Sequence, residues 1–246
     1  MKRFVLIVTL VFACMVLGSY AGAVTSNDIL SKVKSAEANV KDFKADLVMS
    51  STSKKDVSQM GEGYADILKA EKGSVMYKSP DKIRYDGVAQ GIKVSLIFNG
   101  YNKLVLSNMI KKRDNVKNAP GKGQDTLDLG FLSSRLWAEN TVTVVATEND
   151  GTVQLKFDPK YGDKDKRHDT VWVNPGTLKM TKRIVYSGDG SVRSKSVYSD
   201  FEVLGGKLPI ATKTTMYDSA DDKLGTVEYK NLKSNVGLSD SLFPTK

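Results

Sequence analysis

The chain has 246 residues, 40% of them hydrophobic, with 37 Lys and Arg against 28 Asp and Glu for a formal charge of +9. That apolar share can build a packed core and argues against a disordered chain, and a lone cysteine, Cys14, excludes a disulfide scaffold. The basic residues are spread along the chain rather than clustered with aromatics, so the charge points to anionic surfaces, or simply to solubility, and away from nucleic acid.

Met1-Lys2-Arg3 forms a positive start, and Phe4 to Leu17 is an apolar run broken only by Thr9. Small residues follow, ending Ala21-Gly22-Ala23, which reads as a secretory signal peptide over 1–23 cleaved after Ala23. The run is too short to span a bilayer, which needs roughly 18–20 residues. Loss of Lys2 and Arg3 leaves 35 − 28 = +7 on an exported domain over 24–246. Cys14 lies inside the signal; Val11-Phe12-Ala13-Cys14 is a poor lipid-attachment site, though acylation there stays open as an alternative.

Ser26-Asn27-Asp28 supplies capping residues, and Ile29, Val33, Ala36, Val40 and Phe43 recur at steps of four and three. This spacing predicts an amphipathic helix of about four turns. From Phe43 the period becomes two, with Ala45, Leu47 and Met49 on one face of a strand. Further strands are expected at 58–70, 73–78, 82–87, 92–98 and 103–110, separated by turns such as Ser79-Pro80-Asp81 and Asn99-Gly100. The polar stretch 111–124 reads as a loop. Strands resume at 141–147, 152–158, 169–174, 177–187, 191–203, 207–217 and 224–232. So many strands without alternating helices exclude a parallel α/β sheet and predict one long, curled antiparallel sheet in a single domain.

Catalytic signatures are missing. His168, the single histidine, sits in the charged stretch "DKDKRHD", and no G-x-S-x-G nucleophile turn occurs. Asp158, Asp163, Asp165 and Asp169 lack the spacing of a calcium loop, and "APGKGQD" lacks that of a phosphate-binding loop. The reading is a non-enzyme with no catalytic residues, no metal and no cofactor.

One segment breaks the β pattern. "LDLGFLSSRLW" (127–137) carries Leu127, Leu129, Phe131, Leu132, Leu136 and Trp137, which on a helix would wrap most of the circumference. Such a helix must be covered on several sides. It is either a plug in a sealed core or a lid over an apolar hollow, with Gly130 and the preceding loop leaving room for movement.

Several segments together resemble the periplasmic lipoprotein carriers, the LolA-like family. "GSVMYKSPDKIRYDG" (73–87) and "LIFNGYNKLVLS" (96–107) look like two consecutive hairpins of that family. "DFEVLGGKLPIATKTTMYD" (200–218) and "YKNLKSNVGLSDSLFP" (229–244) are similar to its outer-membrane lipoprotein-sorting branch. The resemblance implies an unclosed antiparallel β-barrel of about eleven strands around a hydrophobic cavity, with an N-terminal helix and a central lid helix within 111–140. It also implies a monomeric periplasmic chaperone of protein transport. Such a carrier takes lipoproteins from an inner-membrane release complex, shelters their acyl chains, and passes them to an outer-membrane acceptor.

Strand alternation then nominates Leu47, Met49, Ile83, Tyr85, Leu96, Phe98, Leu104 and Leu106 as the lipid-binding wall; a slip of one residue would invert the choice. The family ties its lid shut with an Arg directly before the hairpin Pro. Here that place is Ser79, and Arg84 is the candidate latch. Rival readings are a lipid- or lipoprotein-sensing envelope regulator on the same fold, an outer-membrane acceptor anchored at Cys14, and a hydrolase or glycan-binding protein with a polar cleft.

Overall fold

Thr25 starts the first helix, α1 (Ser26–Glu37), through a reciprocal capping box. Asp28 N–H donates to Thr25 Oγ1 (3.2 Å), and Thr25 N–H donates to Asp28 Oδ2 (2.9 Å). Ile29, Val33 and Ala36 form the buried stripe the spacing predicts. The helix stops at Glu37, however, and Val40 and Phe43 are buried from the connector and the first strand. Phe43 fits both the helical step from Val40 and the period-two run that follows it, so spacing alone extended the helix too far.

The computed structural model describes residues 24–51, 72–89, 91–119, 122–161 and 167–245. The signal segment, Cys14, the strand expected at 58–70, and Asp163 and Asp165 lie outside them. Among the described residues thirteen strands follow α1: β1 (Asp42–Ser51), β2 (Lys72–Lys78), β3 (Lys82–Ala89), β4 (Ile92–Asn99), β5 (Asn102–Ser107), β6 (Lys111–Asn115), β7 (Asn140–Thr147), β8 (Val153–Pro159), β9 (His168–Val173), β10 (Met180–Tyr186), β11 (Val192–Leu204), β12 (Leu208–Tyr217) and β13 (Lys223–Ser234). A second helix, α2 (Ser134–Glu139), precedes β7.

The protein is mainly β, an unclosed antiparallel sheet in the order β6-β5-β4-β3-β2-β1-β13-β12-β11-β10-β9-β8-β7. Two meanders, β1–β6 and β7–β13, meet where β1 pairs with β13. The two free edges, β6 and β7, are consecutive in the chain. Residues 116–139 must therefore carry the backbone from one edge to the other, across the gap that a closed barrel would seal by pairing strands. The unusual segment 127–137 lies in this crossing.

Both faces of the sheet bury apolar side chains. The concave face holds the main core, including Phe43, Leu47, Met49, Val75, Tyr77, Ile83, Tyr85, Leu96 and Phe98. On the convex face, Ile97 and Leu104 pack with Phe243, and Leu106 and Leu242 border them. The C-terminal segment is clasped there: Arg84 Nη1 donates to Leu242 O (2.9 Å), Asn99 Nδ2 to Phe243 O (2.7 Å), and Lys78 Nζ to Leu238 O (2.8 Å).

Three sequence expectations change accordingly. Leu104 and Leu106 face the convex core rather than the concave wall; Lys103 and Val105 take the inward positions, opposite Phe98 and Leu96. Arg84 is no lid latch, because it points to the convex side, paired with Asp86 (2.8 Å) and holding the C-terminal segment. Within the expected loop 111–124, Lys111–Asn115 forms β6, exposed at every position because it is an edge strand over no core.

Candidate functional site

The crossing segment enters the concave face as a tight turn rather than as a helix. Phe131 N–H donates to Thr126 O (3.0 Å) and Gly130 N–H to Leu127 O (3.1 Å), and helical geometry begins only at Ser134. Gly130 has φ +85°, and a Cβ there would lie 3.0 Å from Ala211 Cβ and 3.2 Å from Ala211 O. Both the backbone angle and the close approach require glycine. This residue breaks the continuous helix expected over 127–137.

The turn places Leu127, Leu129, Phe131, Leu132 and Leu136 inside the sheet's curve, all fully buried. Phe131 stands edge-on to Tyr77 and Phe43, with ring centres 5.2 and 5.9 Å away. Trp137, half-buried, meets Phe157 edge-on at 5.7 Å. The six expected lid residues thus pack into one core with the expected wall residues Leu47, Met49, Ile83, Tyr85, Leu96 and Phe98. The oily half of the concave face is filled by the protein's own side chains.

Polar bonds hold the filling in place. Ala211 N–H donates to Gly130 O (3.0 Å), on a stretch of β12 that precedes its pairing with β13 at Lys213. Tyr198 Oη donates to Leu127 O (2.8 Å), and burial pushes its phenol well above the usual range, so it stays a donor. At α2, Ser134 N–H donates to Glu37 Oε2 (2.8 Å) and Ser134 Oγ to Glu37 Oε1. Trp137 Nε1 donates to Ser26 Oγ (2.8 Å). Arg135 binds Glu139 (2.6 Å) and reaches Asp81 O (3.3 Å) in the β2–β3 turn. Arg135 thus links α2 to the turn beside Ser79-Pro80.

Beside the filled half lies a partly enclosed hollow of about 180 Å³, bordered by Phe98, Tyr101, Leu127, Phe157, Arg183 and Met216. Of the expected wall and lid residues, only Phe98 and Leu127 border it. Its floor is charged. Buried Arg183 pairs with Asp128 (2.7 Å) and Asp169 (2.8 Å). Burial opposes the charge on Arg183, but Asp169 and Asp128 outweigh it and hold the guanidinium ionised. Asp125, loosely attached to this group, is pushed up to about 7 by lost hydration and then by Asp128, against the pull of Arg183.

Sequence reading missed this cluster because β10 is irregular. A bulge between Met180 and Lys182 shifts the alternation and turns Arg183 inward. The available signal was Asp128 inside an otherwise greasy turn, a carboxylate that needs a buried partner. His168 opens β9 and stacks on Tyr186 at 4.7 Å instead of lying in a loop. Among the described residues no group of acidic, Cys or His side chains is placed to hold a metal ion, and no helix is long and apolar enough to cross a membrane.

This open antiparallel sheet with its crossing segment has counterparts among solved structures. A LolA superfamily protein of Nitrosomonas europaea superposes with a TM-score of 0.63 at 16% identity, covering 90% of this chain and 98% of its own. A DUF1329 family protein of Desulfovibrio piger gives 0.54 at 16%, covering 88% and 95%. A candidate outer membrane lipoprotein-sorting protein domain of Vibrio parahaemolyticus gives 0.54 at 13%, covering 87% and 95%. No protein-family model and no curated protein matches the sequence. At these identities the likeness is one of fold.

Proposed function

We propose that the protein is a periplasmic, non-enzymatic carrier of acyl chains that shelters lipoprotein lipid moieties and delivers them toward the outer membrane. An inner-membrane release complex and an outer-membrane acceptor are its expected partners. The observation that carries this reading is the filling of the concave face by a single crossing segment. A hollow of about 180 Å³ is little larger than the roughly 150 Å³ that holds benzene. It takes a short fragment of an acyl chain, so room for a whole chain comes from withdrawal of Leu127–Leu136.

The energies of that exchange are similar. Burying five large apolar side chains is worth about 8–15 kcal/mol, at 1.5–3 kcal/mol each. Burying an acyl chain of roughly fourteen methylenes gives about 11 kcal/mol. One greasy filling can thus replace another without a large net cost, and the outcome is set by the polar ties of the segment and by the partner offering or accepting the chain. Likeness to a lipoprotein-sorting domain supports the choice of cargo.

The test is mass spectrometry of lipids extracted from the natively purified protein. The wild type should carry acyl species, and Phe131→Ala with Leu136→Ala, which weakens the filling that competes with them, should carry more while keeping its β circular-dichroism signal. A native extract without acyl chains, or one holding only sugars, would overturn the proposal.

A further inference from the structure

The β5–β6 turn has a composition that its geometry does not require. Ser107 Oγ accepts hydrogen bonds from Met109 N–H (3.2 Å) and Ile110 N–H (3.0 Å), and Ser107 N–H donates to Ile110 O (2.8 Å). These bonds use a serine at the start of the turn and leave the apex free for the usual Asn, Asp or Gly. Asn108 takes the first apex position, but the turn then presents Met109, 78% exposed, beside Ile110, 55% exposed. Other exposed apolar residues, such as Val145 and Val197, stand singly on strands, which is ordinary for a protein surface.

A basic collar surrounds the pair. Lys111, Lys112 and Arg113 follow directly and are all exposed. Lys93 is exposed at the same end of the sheet, where its neighbour Val94 pairs with Ser107. Charges on an edge strand guard against sheet-to-sheet aggregation, and that accounts for the lysines. It does not account for two bare apolar side chains at the apex of the same hairpin, which act in the opposite direction. An apolar apex inside a cationic collar matches one partner in both respects. The surface of an anionic bilayer takes apolar groups into its acyl boundary and cations at its phosphate level.

We infer that the β5–β6 turn is a membrane-docking tip, inserting Met109 and Ile110 while Lys93, Lys111, Lys112 and Arg113 engage anionic headgroups. The tip is separate from the hollow. Tyr101, at the other end of β5, borders that space, about 20 Å away along the strand. The inference stands whether or not the concave face carries lipid.

Co-sedimentation of the purified protein with vesicles tests it. Vesicles of phosphatidylcholine containing phosphatidylglycerol should bind the wild type at low salt, and vesicles of phosphatidylcholine alone should not. Met109→Ser with Ile110→Ser leaves the charge unchanged and should weaken binding about tenfold or more. Lys111→Ala with Lys112→Ala should also weaken it, and the emission of Ile110→Trp should shift to the blue on anionic vesicles. Undiminished binding by the double-serine variant would reduce the effect to adsorption by net charge and overturn the proposal. So would self-association of the wild type, lost in that variant, without vesicle binding; that result would assign the tip to a second copy of the chain.

Discussion

Asp125 shows how one carboxyl can make closure of the crossing segment depend on pH. Its Oδ1 accepts from Leu127 N–H (2.8 Å), and it faces Asp128 in its own turn, Asp169 on β9, Arg183 on β10 and Tyr198 on β11. Its folded value of about 7 lies above the ordinary 3.8. Between those values the folded protein holds a proton that the unfolded chain has released, so this group's contribution to stability is lost as pH rises through about 7. The thermal midpoint should fall from pH 5.5 to pH 8, and the fall should shrink in Asp125→Asn. An equal fall in both proteins would remove Asp125 from the account. Residue-scale features of this kind were partly legible. Gly130 stood out within a greasy run but was read as room for movement rather than as the break in the helix, and the partner of Asp128 stayed hidden because a bulge, invisible in composition, reversed the facing of β10.

At the scale of elements, alternation gave the right face on β1, β3 and β4 and the wrong one on β5. On β1, Ala45, Leu47 and Met49 point inward as their spacing predicts. On β5 the apolar positions Leu104 and Leu106 point outward, because Phe243, some 140 residues further on, returns to cover the convex face. Local periodicity carries no information about so distant a cover, and the phase was therefore read backwards. The two helices form a second element-scale unit, since Glu37 near the end of α1 receives both hydrogen bonds from Ser134 at the start of α2. A hydrogen bond to a charged group is worth about 1.5–3 kcal/mol when buried, and less at this half-buried site. Glu37→Ala should raise the affinity for a fluorescent fatty acid by about three- to tenfold, because the closed state loses a tie that the loaded state does not use. Titration of the two proteins measures this directly. Unchanged or weaker binding by a folded Glu37→Ala protein would show that the contact does not restrain the segment.

For the whole molecule, the proposed function combined with two consecutive edge strands makes loading and closing compete for one space. The sheet was legible as a long antiparallel meander, and its failure to close was implied only by resemblance; the pairing of β1 with β13 depends on contacts between the two ends of the described chain. In the proposed carrier, where residues 116–139 join the edges of an open sheet, cargo and crossing segment would exclude each other from the concave face. Loading should then have opposite effects on two parts of one protein. A ligand that binds the native state stabilises it by mass action, so the amides of β1, β2, β12 and β13 should exchange more slowly with deuterium. The amides of Phe131 and Gly130, now hydrogen-bonded within the turn, should exchange faster as that turn withdraws. Hydrogen exchange with and without a saturating long-chain fatty acid distinguishes this competition from simple tightening around a ligand. If the turn slows together with the strands, cargo enters beside the crossing segment rather than in its place, and the charged hollow at Arg183 becomes the site to which it binds.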